Sequence, residues 1–323
     1  MGTAGIIILI ALAALLLFGV IPTMAIAVHV FRQHLVRPGK DAWNRGVCGF
    51  PDNEENAAMF LEGMEWFHRN EDCAREVSVE SDGLHLCGQY FDFGFTRSVI
   101  ILAGRAEALT YSYYFAEPYR DFGYNVLVID NRATGLSDGR VNCTGLKEYR
   151  DLQAWIRLLH EGLGNETVLL HGICIGACTS MLAVTDENCP PCVEGLVTDG
   201  MFTTFAETFR THMIELGRPV FPVCMECMLL LHLVSGRSPY RTGPLYAINR
   251  LKLPILMIYG REDRFSLPEK SQMLYDMCPS DKTIAWFEKG SHSHLRCNAR
   301  ERYDDVIGAF IRSHFDGMPG GNV

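Results

Sequence analysis

What most restricts the fold of this 323-residue chain is an alternation of strand-like and helix-like segments. The strand-like runs are REVSVE from Arg75, GLHLCGQYFD from Gly83, SVIILA from Ser98, NVLVID from Asn125, TVLLHG from Thr167, GLVTDG from Gly195, PILMIYG from Pro254 and TIAWFE from Thr283. Stretches of helical spacing intervene near 110–122, 146–162, 176–185, 268–277 and 299–314. Runs that are apolar nearly throughout suit strands covered on both faces, and strands separated by helices pair in parallel. The pattern predicts an α/β domain with a mostly parallel eight-stranded sheet, helices on both faces, and an antiparallel hairpin at its start. Between Met201 and Lys252 a mainly helical insertion rich in Met, Phe and Leu breaks the alternation, in the place of a lid.

Ahead of this domain, Gly5 to Val28 carries no charged residue. At ~1.5 Å per residue such a helix spans the ~30 Å apolar core of a bilayer. Pro22 is expected to kink this helix rather than end it, because lipid leaves the backbone no other partner. Arg32, Arg37, Lys40 and Arg45 follow the segment and no Lys or Arg precedes it, which predicts a single-pass membrane protein with its domain in the cytoplasm. Ala25 and Ala27 imitate a signal-peptide cleavage site, but the run exceeds the usual ~7–15 apolar residues and has no basic start. The expected layout is an anchor over 1–30, a juxtamembrane linker and short helix over 31–74, the α/β domain over 75–316 with its lid at about 201–252, and a flexible tail over 317–323. The short helix would turn Ala58, Leu61, Met64 and Trp66–Phe67 to one side.

An apolar fraction of 48% with 21% charged residues excludes a disordered chain. The net charge of -9, with no basic face, argues against nucleic acid as a partner. Twelve cysteines in a chain of this size need not form disulfides, and free thiols are expected. Cys189 with Cys192 and Cys224 with Cys227 form two C-x-x-C pairs, but the gap between them is long for a zinc site and the second pair lies in an apolar helix. No metal or cofactor is expected.

The run VLLHGICIGACTS, Val168 to Ser180, passes from a strand through Gly172-Ile173-Cys174-Ile175-Gly176 into a helix of small residues. In the G-x-S-x-G elbow, glycines flank a nucleophile on a tight strand-to-helix turn because side chains there would strike the neighbouring backbone. Cys174 holds the nucleophile's position, and a thiol at a helix N-terminus beside a histidine is readily activated. The other reading is a buried structural cysteine. Gly135-Leu136-Ser137-Asp138-Gly139 is the serine form of the pattern, but it lies in a turn-rich loop, so Ser137 is expected to structure that loop. Asp263 follows strand PILMIYG and His292 follows TIAWFE, giving the order nucleophile, acid, histidine at successive strand ends. His294 is the rival base and Glu262 the rival acid. The oxyanion hole is expected from the backbone N–H of Ile175 and that of Arg105, in the loop after SVIILA.

The pieces GLHLCGQYF, GYNVLVIDNRATGLSDGR, GICIGA, GREDRFSLP and GSHSHLRCNARERYDDVIGAFI resemble those of bacterial membrane-anchored α/β-hydrolases of the serine aminopeptidase-like or lysophospholipase-like kind, over about Glu76 to Phe315. The resemblance implies the α/β-hydrolase fold and an acyl-cleaving site. The family's spacing from base to helical Tyr matches His292 to Tyr303 and favours His292 over His294. Two departures stand out: Ala103-Gly104 where the family has His-Gly, and Cys174 where it has Ser, as in the thiol-dependent dienelactone hydrolases of the same fold.

The expected function is hydrolysis of carboxylic esters or related acyl compounds through Cys174, His292 and Asp263, by way of an acyl-thioenzyme. The expected partners are a small-molecule or lipid acyl substrate and the membrane. The alternatives are an inactive hydrolase-fold protein that binds a lipid or partner at the membrane, and an acyltransferase. Phe202, Phe205, Phe209, Met213, Met225 and Met228 in the lid either line an acyl pocket or pack the core.

Overall fold

The computed structural model describes residues 2–49 and 51–315, so the 317–323 tail lies outside the described residues. Eight strands form one sheet: β1 (Ala74–Ser81), β2 (Leu84–Phe91), β3 (Arg97–Leu102), β4 (Asn125–Ile129), β5 (Thr167–Ile173), β6 (Val193–Asp199), β7 (Ile255–Gly260) and β8 (Lys282–Phe287). Their order is β1-β2-β4-β3-β5-β6-β7-β8. The β1–β2 hairpin is antiparallel and joins β4 antiparallel; every later pairing is parallel.

The apolar runs explain the two-sided core. Along β7, Ile255, Met257 and Tyr259 pack on one face, and Leu256 and Ile258 on the other. β5 divides in the same way, with Val168 and Leu170 opposite Leu169 and Ile173. Because successive side chains of a strand point to opposite faces, a run without polar interruptions feeds both cores at once. Helices Glu148–Arg157 and Ile175–Val184 cover the first face, and Glu54–Asn70 and Arg300–His314 the second.

Helix Glu54–Asn70 starts where the Asn53 side chain accepts the Asn56 N–H at 3.0 Å, a helix cap. It buries Met59, Gly63 and Trp66 against the segment Leu109–Phe115. Leu61, expected on that face, is exposed. At helical spacing it stands two positions from both Met59 and Gly63, which rotates it about 200° away from the buried stripe.

The N-terminal helix runs from Thr3 to Leu35, 33 residues or about 50 Å, well beyond the anchor expected to end at residue 30. It is long and apolar enough to cross a membrane, a property shared with signal sequences near an N-terminus. It continues through Pro22 by way of a π-helical segment at Leu16–Val20. One wider turn accommodates a residue that lacks an N–H. Its last turns are not free: Ala27, Val30, Phe31, His34 and Leu35 are buried, largely against lid helix Val223–Ser235. Thr23 Oγ1 donates to Glu226 Oε1 at 2.8 Å, and the Cys227 thiol to the Ala27 carbonyl at 3.2 Å.

The polar stretch after this helix, expected as a linker, is fastened to the domain. Val36 bridges Val141, Arg37 donates to the carbonyls of Gly39, Ala42, Lys40 and Gly135, and Arg45 pairs with Asp130 at 2.7 Å and Glu76 at 2.8 Å. Two of the four flanking positive charges are thus part of the folded domain.

The lid comprises helices Phe205–Glu215, Val223–Ser235 and Pro244–Ala247. Met225 points outward, while Met213 and Met228 are buried. Among the described residues no group of three or more potential ligands is arranged to hold a metal ion.

Candidate functional site

β5 ends at Ile173, and helix Ile175–Val184 begins one residue later. Cys174 fills that single position at φ 54° and ψ −112°, a backbone conformation rarely tolerated by a residue with a side chain. Its N–H donates to the Asp199 carbonyl at 2.8 Å, while its own carbonyl accepts from Ala177 and Cys178, so the turn is held on both sides. A Cβ on Gly172 would stand 2.4 Å from the Ala177 nitrogen, and one on Gly176 would stand 2.4 Å from the Leu102 carbonyl oxygen. Only glycine lets the helix start lie this close to β3 and β5.

The Cys174 side chain reaches a cavity of about 340 Å³, together with Ile175, Arg105 and His292. Asp263 lies behind His292 on the loop leaving β7, nearly inaccessible to solvent. Asp263 Oδ2 meets His292 Nδ1 at 2.7 Å. Its Oδ1 accepts the N–H of Phe265 at 2.7 Å and of Ser266 at 2.8 Å. Burial disfavours the Asp263 carboxylate, but His292 and these bonds outweigh it and hold its pKa below the ordinary value. Burial likewise opposes protonation of His292, yet Asp263 and Cys174, by charge and by hydrogen bonding, raise its pKa well above that of a free imidazole. With Nδ1 committed to Asp263, the imidazole has Nε2 left for the sulfur.

The rival groups are placed elsewhere. Glu262 is exposed. His294 also borders the cavity, but its Nδ1 is engaged by Ser291 Oγ at 2.7 Å and Glu55 Oε2 at 3.2 Å. Ser137 is buried, donating to the Asp130 carbonyl at 2.7 Å and accepting the Cys87 N–H at 2.9 Å, which ties its loop to β2.

The N–H of Ile175 heads the helix, where no intrahelical acceptor exists. The loop after β3 turns at Gly104, whose Cα is close enough to Cys174 that an added Cβ would lie 3.6 Å from the cysteine Cβ. Glu107 Oε2 accepts the Gly104 N–H at 2.8 Å and braces this loop from inside. Burial raises the pKa of Glu107, against the opposing pull of that bond, Arg105 and His292. Arg105, the residue after Gly104, also lines the cavity and sends its side chain to the His34 carbonyl at 2.8 Å.

Two groups of residues beside the site were not singled out from the sequence. Beneath it, Tyr303 donates to Asp199 Oδ2 at 2.8 Å and lies 3.2 Å from His171 Nε2. Burial pushes the Asp199 carboxyl up to about 7 and the His171 imidazole down to about 3. Tyr303 had drawn attention only as a spacing mark, and Asp199 reads as the turn residue of GLVTDG. Above the site, His34 from the N-terminal helix and His212 from the lid complete the cavity wall with Phe202, Phe205 and Phe209. No sequence signal marks His34, which ends what looks like a membrane segment.

A central parallel sheet, a Gly-flanked elbow after β5 and loops converging from β7 and β8 define the α/β-hydrolase fold, and this chain has it. A family model described as "alpha/beta hydrolase fold" matches residues 97–217, and one described as "Serine aminopeptidase, S33" matches residues 246–296. The protein YqkD of Bacillus subtilis (strain 168), itself uncharacterized, is 24% identical over 216 residues, covering 66% of this chain and 70% of that one. Among solved structures, the Pyrococcus furiosus esterase Pf2001 superposes with a TM-score of 0.62 at 22% identity, over 75% of this chain and 91% of that one. Pyrococcus horikoshii acylaminoacyl peptidase superposes at 0.57 with 17% identity, over 77% of this chain and 43% of the other. At these identities the likeness concerns the fold.

Proposed function

We propose that the protein is an α/β-hydrolase that cleaves carboxylic esters or related acyl compounds with Cys174 as nucleophile, His292 as base and Asp263 as the acid that orients it. The observation that carries this reading is the shared cavity: a cysteine on a strained elbow turn faces an imidazole whose other nitrogen is bonded to a buried carboxylate at 2.7 Å.

In the proposed reaction the Cys174 sulfur attacks the acyl carbon while its proton passes to His292 Nε2. The negative charge that develops on the carbonyl oxygen is met by the N–H groups of Ile175 and Arg105. The tetrahedral species collapses, His292 returns the proton to the leaving alcohol, and a thioester remains on Cys174. Water, deprotonated by His292, then attacks the thioester and releases the acid and the thiol. Asp263 fixes the imidazole with Nε2 toward the sulfur and offsets its positive charge in both halves.

Esterase and peptidase neighbours in fold, and an apolar wall of Phe202, Phe205 and Phe209, support an acyl substrate. The N-terminal helix supports attachment to a membrane in a single pass, with Arg32 and Lys40 on the cytoplasmic side. The test is turnover of p-nitrophenyl esters of graded acyl length by the full-length protein, with Cys174→Ala and Cys174→Ser alongside. An initial burst of nitrophenol equal to the enzyme, absent in Cys174→Ala, is expected. No turnover across the series, with Cys174 alkylated no faster than the other cysteines, overturns the reading.

A further inference from the structure

The cavity wall holds one arginine and four histidines, His34, His212, His292 and His294, against a single acid, Glu107. Arg105 is the unusual member. Among the described residues it forms no ion pair, and its guanidinium has one protein bond, from Nη1 to the His34 carbonyl. Burial in the wall works against its charge, and the sources of relief are Cys174 and Glu107. Glu107, however, spends an oxygen on the Gly104 N–H, and burial biases it toward its neutral form. A half-buried arginine in the cavity wall with most of its donors unmatched by the protein is suited to an anionic guest.

Its neighbours suit the same guest. His34 Nε2 lies 2.8 Å from Arg218 Nη1, so that nitrogen is the acceptor of the pair and Nδ1 is left as a donor. His212 packs edge-on to His34, with ring centroids 5.5 Å apart, and its other side meets Phe265, which in turn touches the His292 ring. These ring contacts run from the N-terminal helix through the lid helix Phe205–Glu215 to His292.

Resting on the hydrolase reading, we propose that Arg105, with His34 and His212, forms an anion subsite, so that the substrate is an acyl ester carrying a carboxylate or phosphate close to its scissile bond. The guanidinium is matched in shape to either anion. The sources differ in position: a carboxylate on the acyl chain, or a phosphate on the alcohol.

The experiment compares matched pairs with the full-length protein in detergent. On the acyl side, the p-nitrophenyl monoester of adipic acid is set against its methyl-capped diester. On the alcohol side, butyryl glycerol 3-phosphate is set against monobutyrin. The charged member of one pair is expected to be favoured about tenfold or more in kcat/KM, a ratio that falls toward one in Arg105→Met and is partly restored in Arg105→Lys. Because the ratio is read within each variant, any loss common to both substrates cancels. Monomethyl adipate or glycerol 3-phosphate should also raise the melting temperature of the wild type and not of Arg105→Met. This readout survives even if no ester is hydrolysed, so the two readings fail separately. Wild type that prefers neither charged substrate and is stabilised by neither anion overturns the subsite. An anion preference left intact by Arg105→Met overturns it equally.

Discussion

Gly200 places a sharp demand on the site. At φ +64°, its N–H is bonded to the Ile258 carbonyl at 3.1 Å and its carbonyl to Ser266 Oγ at 2.7 Å, so its backbone is held from two sides. A Cβ there would stand 2.8 Å from Cε1 and 3.1 Å from Nδ1 of His292. Gly200→Ala then has two costs: about 1–2 kcal/mol for a left-handed alanine, and about 1–3 kcal/mol for the added methyl. Together these lower the melting temperature by roughly 5–15 °C in a domain of this size. The fastened backbone yields less than the ring, so His292 turns away from Asp263 and the sulfur. A shift of about 1 Å at a reacting group costs about a hundredfold in rate. The assay is kcat/KM on a neutral ester well below the melting point of the variant, where the folded fraction is complete. A folded Gly200→Ala enzyme with undiminished kcat/KM would refute the claim that His292 works where the structure puts it.

Asp263→Asn should lower kcat by about 10³–10⁴-fold, the scale of loss in a serine-protease triad, while circular dichroism stays native; a loss under tenfold would remove Asp263 from the mechanism. The raised pKa of Asp199 makes a stability prediction with a definite sign. Between its unfolded value of 3.8 and its folded value of about 7, the folded chain keeps a proton that the unfolded chain has lost, so stability falls as pH rises and levels off above 7. The full effect is on the order of 4 kcal/mol, and Asp199→Asn should flatten that part of a melting-temperature profile; parallel profiles would contradict it. Ser137→Ala should cost about 1–3 kcal/mol of stability, by leaving the Cys87 N–H without its acceptor, and should retain turnover. Complete loss of turnover in a folded Ser137→Ala protein would return the serine pattern to consideration.

The strands could be read from the sequence because burial on both faces leaves no room for polar interruptions, and β3, β4 and β7 are buried at every position. Their spatial order was less accessible: β4 lies between β2 and β3, a crossover that no local pattern records. The elbow announced itself through Gly172 and Gly176, since the contacts that forbid a Cβ there also fix the spacing in sequence. Asp263 and His292 were located by their position after β7 and β8, and the structure sets them 2.7 Å apart. Contacts between distant segments stayed hidden. Nothing in the sequence around His34 tells that a helix apolar enough for a membrane ends in a cavity wall. Arg37 and Arg45, read as flanking charges, turned out to hold the following stretch against the domain, because a positive charge looks the same in sequence whether it faces lipid headgroups or a buried carboxylate.

The same helix therefore combines a run apolar enough to cross a membrane with a place in the cavity wall. Its first turns are apolar enough for a bilayer, and its last turns, seated against Glu226 and Cys227, bring His34 to the chamber beside Cys174. Exchanging it for an unrelated apolar helix would remove His34 and with it part of the chamber wall. A form trimmed at Ala27 would lose the Thr23 partner of Glu226 while keeping His34 in the wall. In this chain, the apolar segment and a piece of the chamber wall are inherited together.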